Sequence, residues 1–303
     1  MPEQGCGGVR PGAGAGPGLE VVRAGALTTV QDAGRGGWAH LGVPRAGALD
    51  GAARDLANRL AGNAPDAAVL ETTLTGCAVR VSGARPVTVV VGGAVCRVTV
   101  DGRPVAWGAP VRVPPGAVLE AGHALHGLRA YLAFGGGLVP EPVLGSRSAD
   151  LLSGLGPPVL RDGDVLPLGA VAPGSRLPAA GPAPWPGVPG ELVLPVHPGP
   201  RDDWFTPAAL RTLTTAVYRV AAQSNRIGLR TEGPPLERAR GGELPSEGMV
   251  LGAVQVPPDG RPVVFLNDHP TTGGYPVVGV VAASALDAAA QAAPGTPVRF
   301  VPA

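Results

Sequence analysis

Three stretches of the chain crowd polar side chains among glycines. The densest is Asn267–Asp268–His269–Pro270–Thr271–Thr272–Gly273–Gly274–Tyr275–Pro276. A carboxylate beside an imidazole suits proton transfer near neutral pH. Thr271, Thr272 and the amides of Gly273 and Gly274 suit the surroundings of a carbonyl or an oxyanion, with Tyr275 at their end. The same residues also suit a plain polar turn held by Asx and Thr hydrogen bonds. Adjacent residues on a strand point to opposite faces, so Asp268 and His269 enter one pocket only from a loop or bulge.

The second stretch runs from Gln223 to Gly233. Arg226 and Arg230 are spaced i,i+4, and Asn225 precedes the first. Arg226 is of the type that grips a carboxylate by two parallel bonds, and it reads equally as a solvated surface arginine. The third stretch joins Thr28–Arg35 to Gly42–Asp50. Gln31, Asp32 and Arg35 offer an amide, a carboxylate and a guanidinium; Asp32 and Arg35 fit a pair within the loop just as well. Gln31 and Asn58 are candidates for backbone bonding, and Asp50 is most simply a helix cap. Glu71, Glu120 and Asp164 read as surface or turn carboxylates. His40, His123, His126 and His197 lack ligand spacing, and no metal site is predicted.

Short elements must position these residues. Strands are expected at Leu19–Val22, Thr28–Gln31, Ala68–Leu74, Ala78–Val81, Val87–Val91, Ala94–Val100, Val111–Val113, Val118–Glu120 and Leu128–Phe134. Gly92–Gly93 and Asp101–Gly102 read as hairpin turns. A helix capped by Asp50 is predicted to Leu60 and ends at Gly62–Asn63. Further strands are expected at Leu192–Val196, Ala216–Val220, Met249–Val256, Pro262–Leu266, Val277–Ala282 and Val298–Val301. Short helices are expected after Thr206, with Pro207 in first position, and over Ser284–Ala293 with Ser284 as cap. The reading is mainly β. It divides into a flexible leader (1–18), a β-rich domain (19–170), a Gly/Pro-rich linker (171–190) and a second β domain (191–303).

Composition agrees. The 303 residues include 48 Gly and 36 Pro, which disfavours a helical bundle. Hydrophobics at 45% against 16% charge disfavour general disorder. The formal charge is +1 with no basic stripe, so no nucleic-acid role is expected. All 24 basic residues are Arg, which excludes a lysine Schiff base, a P-loop lysine and a biotinyl-lysine on this chain. Cys6, Cys77 and Cys96 form no CxxC, and the latter two read as buried hydrophobes. No signal-peptide core or membrane span is recognisable, so a cytoplasmic location without membrane association is the expectation.

The runs TTVQDAGR, GVPRAGALD, ANRLAGN, AVLETTLTG, SNRIGLRTEG, GAVQVPPDG and NDHPTTGGYP together resemble one family. It contains the C component of bacterial ATP-dependent 5-oxoprolinase, allophanate hydrolase subunit 2-like proteins, the antagonist of a sporulation kinase inhibitor and the carboxyltransferase region of urea carboxylase. The resemblance covers about residue 20 to 303. It implies two β-barrel-like halves with short helices, the C-terminal half cyclophilin-like. It implies one component of a heteromeric 5-oxoprolinase, working with A-like and B-like partner proteins. Together they would use ATP to open the small-molecule lactam 5-oxo-L-proline to L-glutamate; Mg²⁺ is the chemical expectation that goes with ATP. The alternatives it implies are carboxyl transfer to urea or another small amide from carboxybiotin on a separate carrier, and a non-catalytic regulatory role. On the lead reading Arg226 and the Gly273–Gly274 turn neutralise the oxyanion, and His269, oriented by Asp268, moves the proton. Asn225, Thr271, Thr272, Tyr275, Gln31, Asp32 and Arg35 line the substrate or phosphate site. Pro270 stands where members often carry Gln, and Asn225 where many carry Asp.

Overall fold

A computed structural model describes residues 17–171, 183–188, 190–242 and 244–303. Most of the leader expected over 1–18 and of the linker expected over 171–190 lies outside the described residues.

The N-terminal half is a nine-stranded antiparallel sheet. Its strands are β1 (Gly18–Arg23), β2 (Leu27–Gln31), β3 (Val69–Thr73), β4 (Cys77–Ser82), β5 (Val87–Val100), β6 (Arg103–Val105), β7 (Val111–Val113), β8 (Val118–Phe134) and β9 (Val165–Pro167). The order is β2-β3-β8-β4-β1-β9, with β5 laid along β8 and carrying β6 and β7. β8 is the spine. Its first part pairs with β4, its later part with β3, and its other edge with β5. One face packs Leu19, Val30, Val79, Leu119, Leu132 and Phe134 into a core.

Two sequence expectations fail here. Gly92–Gly93 is not a hairpin turn: β5 runs through it unbroken, and its register against β8 slips between Gly93 and Val95. Gly93 has φ +80°, and a Cβ there would stand 2.7 Å from the Arg129 carbonyl oxygen. The glycines therefore make a bulge that bends a long strand instead of reversing it. Val118–Glu120 and Leu128–Phe134 are likewise the two ends of β8. The exposed His123, Leu125 and His126 between them interrupt the buried pattern that marks a strand, while the ladder continues.

Helix α1 (Gly51–Ala61) packs Ala53 and Ala57 toward Val90 and Tyr131. The Asp50 carboxylate accepts from the Ala53 amide at 2.9 Å, and Gly62 closes the helix in the left-handed region, as expected. Of the expected linker, Trp185 donates to the Gly108 carbonyl at 2.9 Å and its ring lies 5.4 Å from Trp107.

The C-terminal half is built from β10 (Leu192–Pro198), α2 (Pro207–Thr215), β11 (Tyr218–Val220), β12 (Gly228–Glu232), β13 (Glu247–Gly248), β14 (Ala253–Gln255), β15 (Val263–Phe265), β16 (Thr272–Gly273), β17 (Val277–Val281), α3 (Leu286–Gln291) and β18 (Pro297–Pro302). Seven strands close a barrel in the order β10-β17-β14-β15-β12-β11-β18. β10 and β18 pair in parallel and the other neighbours antiparallel. Leu194, Val254, Val264, Val298 and Phe300 belong to its core, where Tyr218 meets Phe300 edge-on. β13 and β16 form a separate ribbon. Thr206 caps α2 with Pro207 in first position, as expected. Ser284 does not cap α3: it lies in a 3-10 turn, Ala283–Ala285, that feeds the helix directly. Of the two barrel-like halves expected, only this one closes; among the described residues β2 and β9 end the N-terminal sheet without pairing to each other, their outer edges bonded by the Ala149, Leu160 and Val139 amides. Among the described residues no helix is long and apolar enough to cross a membrane.

Candidate active site

The three polar stretches meet where the two halves touch. The Ala46 amide donates to the Asn267 carbonyl at 3.0 Å, and Asn267 Nδ2 donates to the Ala48 carbonyl at 2.9 Å. The Asp268 amide donates to the Arg226 carbonyl at 3.1 Å. Loops following β2, preceding β12 and following β15 thus form one seam.

Arg226 sits at its centre, fully buried. Its Nε and Nη2 grip both oxygens of Asp268, each at 2.9 Å. Nη2 also donates to the Gly47 carbonyl at 2.7 Å, and Nη1 donates to Glu71. The bidentate geometry expected of this arginine is present, but its partner is a carboxylate of the protein. Every nitrogen of the guanidinium is engaged, so it works behind the site and not as a direct donor to substrate.

Glu71 is the residue sequence reasoning misplaces. It is 1% exposed, on the seam-facing side of β3 opposite Thr29. Its carboxylate accepts from the Leu49 amide at 2.9 Å and the Tyr131 hydroxyl at 3.0 Å, and Arg129 lies 3.7 Å away. Burial pushes this carboxyl up, but Arg226, Arg129 and the Leu49 amide outweigh it and hold Glu71 below its ordinary value. Glu120 and Asp164 behave as expected, one in a surface pair with Arg23 and the other in a turn accepting from the Arg161 amide.

Asp268 and His269 lie in the turn after β15, where the His269 amide donates to the Leu266 carbonyl at 3.0 Å, yet their side chains find different partners. Asp268 also accepts from the Leu151 amide at 3.1 Å; burial raises its pKa against the pull of Arg226. The His269 ring instead stacks on Phe265, with 5.9 Å between centroids, and its Nδ1 lies 2.7 Å from the Pro270 carbonyl. A carbonyl only accepts, so Nδ1 carries the proton and the neutral ring presents the Nε2 lone pair. Asp268 therefore does not orient His269 through a direct bond. Burial lowers the His269 pKa, while the Pro270 carbonyl, Asp268 and Asp150 partly restore it. The ring is then neutral at pH 7 and chemically a base.

Asp32 and Arg35 are both buried but do not pair by hydrogen bond. Asp32 accepts from the Ser146 and Ser148 hydroxyls at 2.6 Å each, and from the Arg147 and Gly34 amides. These bonds overcome desolvation and lower its pKa. Arg35 donates to the Ser148 and Val143 carbonyls, leaving its buried Nη1 without a partner among the described residues. Gln31 donates to Thr29 Oγ1 and the Ala149 carbonyl, and its Oε1 is unpartnered in the same sense.

The remaining predicted residues lie outside this cluster. Asn225 closes an Asx turn onto the Ile227 and Gly228 amides and lines a cavity of about 550 Å³ with Gln223, Arg230 and Arg261. Thr272 and Gly273 pair with Gly248 and Glu247, so their backbone serves a ribbon. Thr271 and Gly274 flank it half-buried, and Tyr275 is exposed. Cys77 and Cys96 are buried as expected, their thiols pushed up to about 12 and about 11 by desolvation. Among the described residues no group of three or more His, Cys, Asp or Glu is placed to hold a metal.

Residues 41–302 match the family described as the carboxyltransferase domain, subdomain A and B. The chain belongs to that family. It is 37% identical over 290 residues to the C component of 5-oxoprolinase from Escherichia coli, covering 93% of this chain and 90% of that protein. It is 34% identical over 311 residues to urea amidolyase of Lachancea kluyveri, covering 94% of this chain but 17% of that protein. The solved structure of TTHA0988 superposes with a TM-score of 0.86 at 36% identity, over 99% of this chain and 58% of that one. In this carboxyltransferase-family chain the polar layer also includes Arg129, Tyr131, Ser146, Ser148 and Asp150, none of which sequence reasoning singles out. The one signal for Glu71 is a charge inside the short strand Val69–Thr73, between Leu70 and Thr72, which both bury.

Proposed function

We propose that this chain is a component of an ATP-dependent 5-oxoprolinase complex, acting with A-like and B-like partner proteins to open 5-oxo-L-proline to L-glutamate. The observation that carries the reading is the likeness to the C component of 5-oxoprolinase, which extends over 93% of this chain. The cyclophilin-like character expected of the closed C-terminal barrel belongs to the same proposal.

A lactam is a poor electrophile, and ATP supplies the activation by phosphorylating its oxygen. Among the described residues no group of three or more His, Cys, Asp or Glu gathers, and Mg²⁺ bound with ATP would be held chiefly by the phosphates. No step is therefore assigned to a metal on this chain. His269 Nε2, neutral as its burial favours, accepts the proton of the water that adds to the ring carbon bearing the phosphorylated oxygen, and returns a proton to the ring nitrogen as the C–N bond breaks. A second water cleaves the resulting acyl phosphate to glutamate and inorganic phosphate. Arg35, whose buried Nη1 has no partner among the described residues, takes the donor role to the lactam oxygen that the engaged Arg226 cannot fill. Gln31 Oε1 is an acceptor of the kind a lactam N–H requires.

The likeness to urea amidolyase supports a second reading, carboxyl transfer to a small amide from biotin on a separate carrier. The two part in one assay of the assembled complex. Release of ADP and glutamate from 5-oxo-L-proline without biotin supports the first. Carboxylation of urea that depends on a biotinylated carrier, with no glutamate formed, overturns it.

A further inference from the structure

Glu71 has no place in the chemistry above, yet more polar groups converge on it than on any donor or acceptor that touches substrate in that account. Arg226, Arg129, the Tyr131 hydroxyl and the Leu49 amide all point at its two oxygens. It belongs to β3 of the N-terminal sheet, whereas Asp268 and His269 belong to the C-terminal half, in the loop after barrel strand β15. Arg226 is the cation they share. Glu71, Asp268, Arg226 and Arg129 form a buried set of two negative and two positive charges. Such a set is stable only when complete, because removing one member leaves an uncompensated charge in low dielectric.

We propose that Glu71 is a positioning residue of the candidate active site: through Arg226 it fixes the place and the charge balance of Asp268, and so the environment of His269, from the opposite half of the molecule. Asp268 and His269 are consecutive, so a displaced Asp268 carries the imidazole with it. Arg226 holds Asp268 twice over, through its guanidinium and through its own carbonyl accepting from the Asp268 amide. A change of about 1 Å in such a group is enough to cost a large part of a rate. The groups facing His269 are Asp268 and Asp150 as charges, the Pro270 carbonyl and the Phe265 ring. The hydrogen bonds and ion pairs of Glu71 among the described residues run to Arg226, Arg129, Tyr131 and Leu49, so its influence on His269 runs through Arg226 and Asp268. The inference rests on the reading of His269 as the proton-transfer group.

The test is Glu71→Gln, with Glu71→Asp beside it, in the full chain. The imidazole of His269 is titrated by NMR, its signal assigned by loss in His269→Asn, and kcat and KM for 5-oxo-L-proline are measured in the assembled complex. Glu71→Gln leaves the buried set with net positive charge. The His269 midpoint then falls by roughly half a unit to one unit, and kcat drops on the order of 10–100-fold while KM stays within about threefold. Glu71→Asp keeps the charge but retracts it by one methylene; the midpoint returns to the wild-type value while kcat remains about tenfold low. A folded Glu71→Gln with wild-type midpoint and wild-type kcat overturns the proposal. Should that variant fail to fold, Glu71→Asp decides, and wild-type kcat there overturns it. If the assembled complex does not turn over 5-oxo-L-proline, the functional reading fails, and the titration alone decides the role of Glu71.

Discussion

At the residue scale the site is a matter of which charges are compensated. Arg226 is held by two carboxylates and a carbonyl, so Arg226→Ala strands Glu71 and Asp268. We expect a loss of about 3–5 kcal/mol, the range for breaking a buried pair, seen as a lower midpoint in urea unfolding. A stability within about 0.5 kcal/mol of wild type contradicts this account of Arg226. His269 gives a pH prediction. Its folded pKa is depressed, so it contributes stability above its ordinary value of 6.5, lost as pH falls through the lower folded value. The acid limb of the rate profile should lie below 6.5 and disappear in His269→Asn; an unchanged limb removes His269 from proton transfer. Asp50 runs the other way. Burial lifts it to about 6, against Gln291 and the Ala53 amide. Its contribution is fully present below 3.8 and is lost as pH rises through about 6. Asn caps a helix as well as Asp, so Asp50→Asn should flatten the fall in stability between about pH 4 and 7, on the order of 2–3 kcal/mol in wild type. Parallel curves for the two proteins contradict it.

At the element scale the sequence is legible where local rules act alone. Helix α1 with its Asp50 cap and Gly62 stop, α2 with Thr206 and Pro207, and the short alternating strands need only near neighbours. Legibility fails where long-range pairing overrides local signals. Gly92–Gly93 satisfies a hairpin rule, yet β8 is long enough to pair across it, and the pair becomes a bulge. Gly93→Ala puts a methyl against the Arg129 carbonyl at a positive φ. A loss of about 1–3 kcal/mol in unfolding free energy is expected, and a stability equal to wild type contradicts the close approach of Gly93 to β8. Ser284 fails as a cap because a 3-10 turn occupies the position before α3. Of the Thr271–Gly274 turn, Thr272 and Gly273 pair with β13 as a ribbon that the sequence does not announce.

At the scale of the whole molecule, the three polar stretches stand out in the sequence, but their meeting does not. Glu71 and Asp268 are 197 residues apart and share one arginine, a relation that only the docking of two sheets creates. A charge read in isolation looks solvated, which is why the sequence sends Glu71 to the surface and leaves Arg226 between a surface arginine and a carboxylate grip. The functional reading also belongs to this scale, because the reaction it assigns is divided among several proteins and a test on the lone chain decides little. The most direct measurement is release of ADP and glutamate from 5-oxo-L-proline and ATP by this chain assembled with its A-like and B-like partners, compared with the same mixture lacking it. The account predicts coupled release that requires this chain and falls by about 100-fold or more with His269→Asn. Release that persists without the chain, or an assembled complex that forms no glutamate, contradicts it.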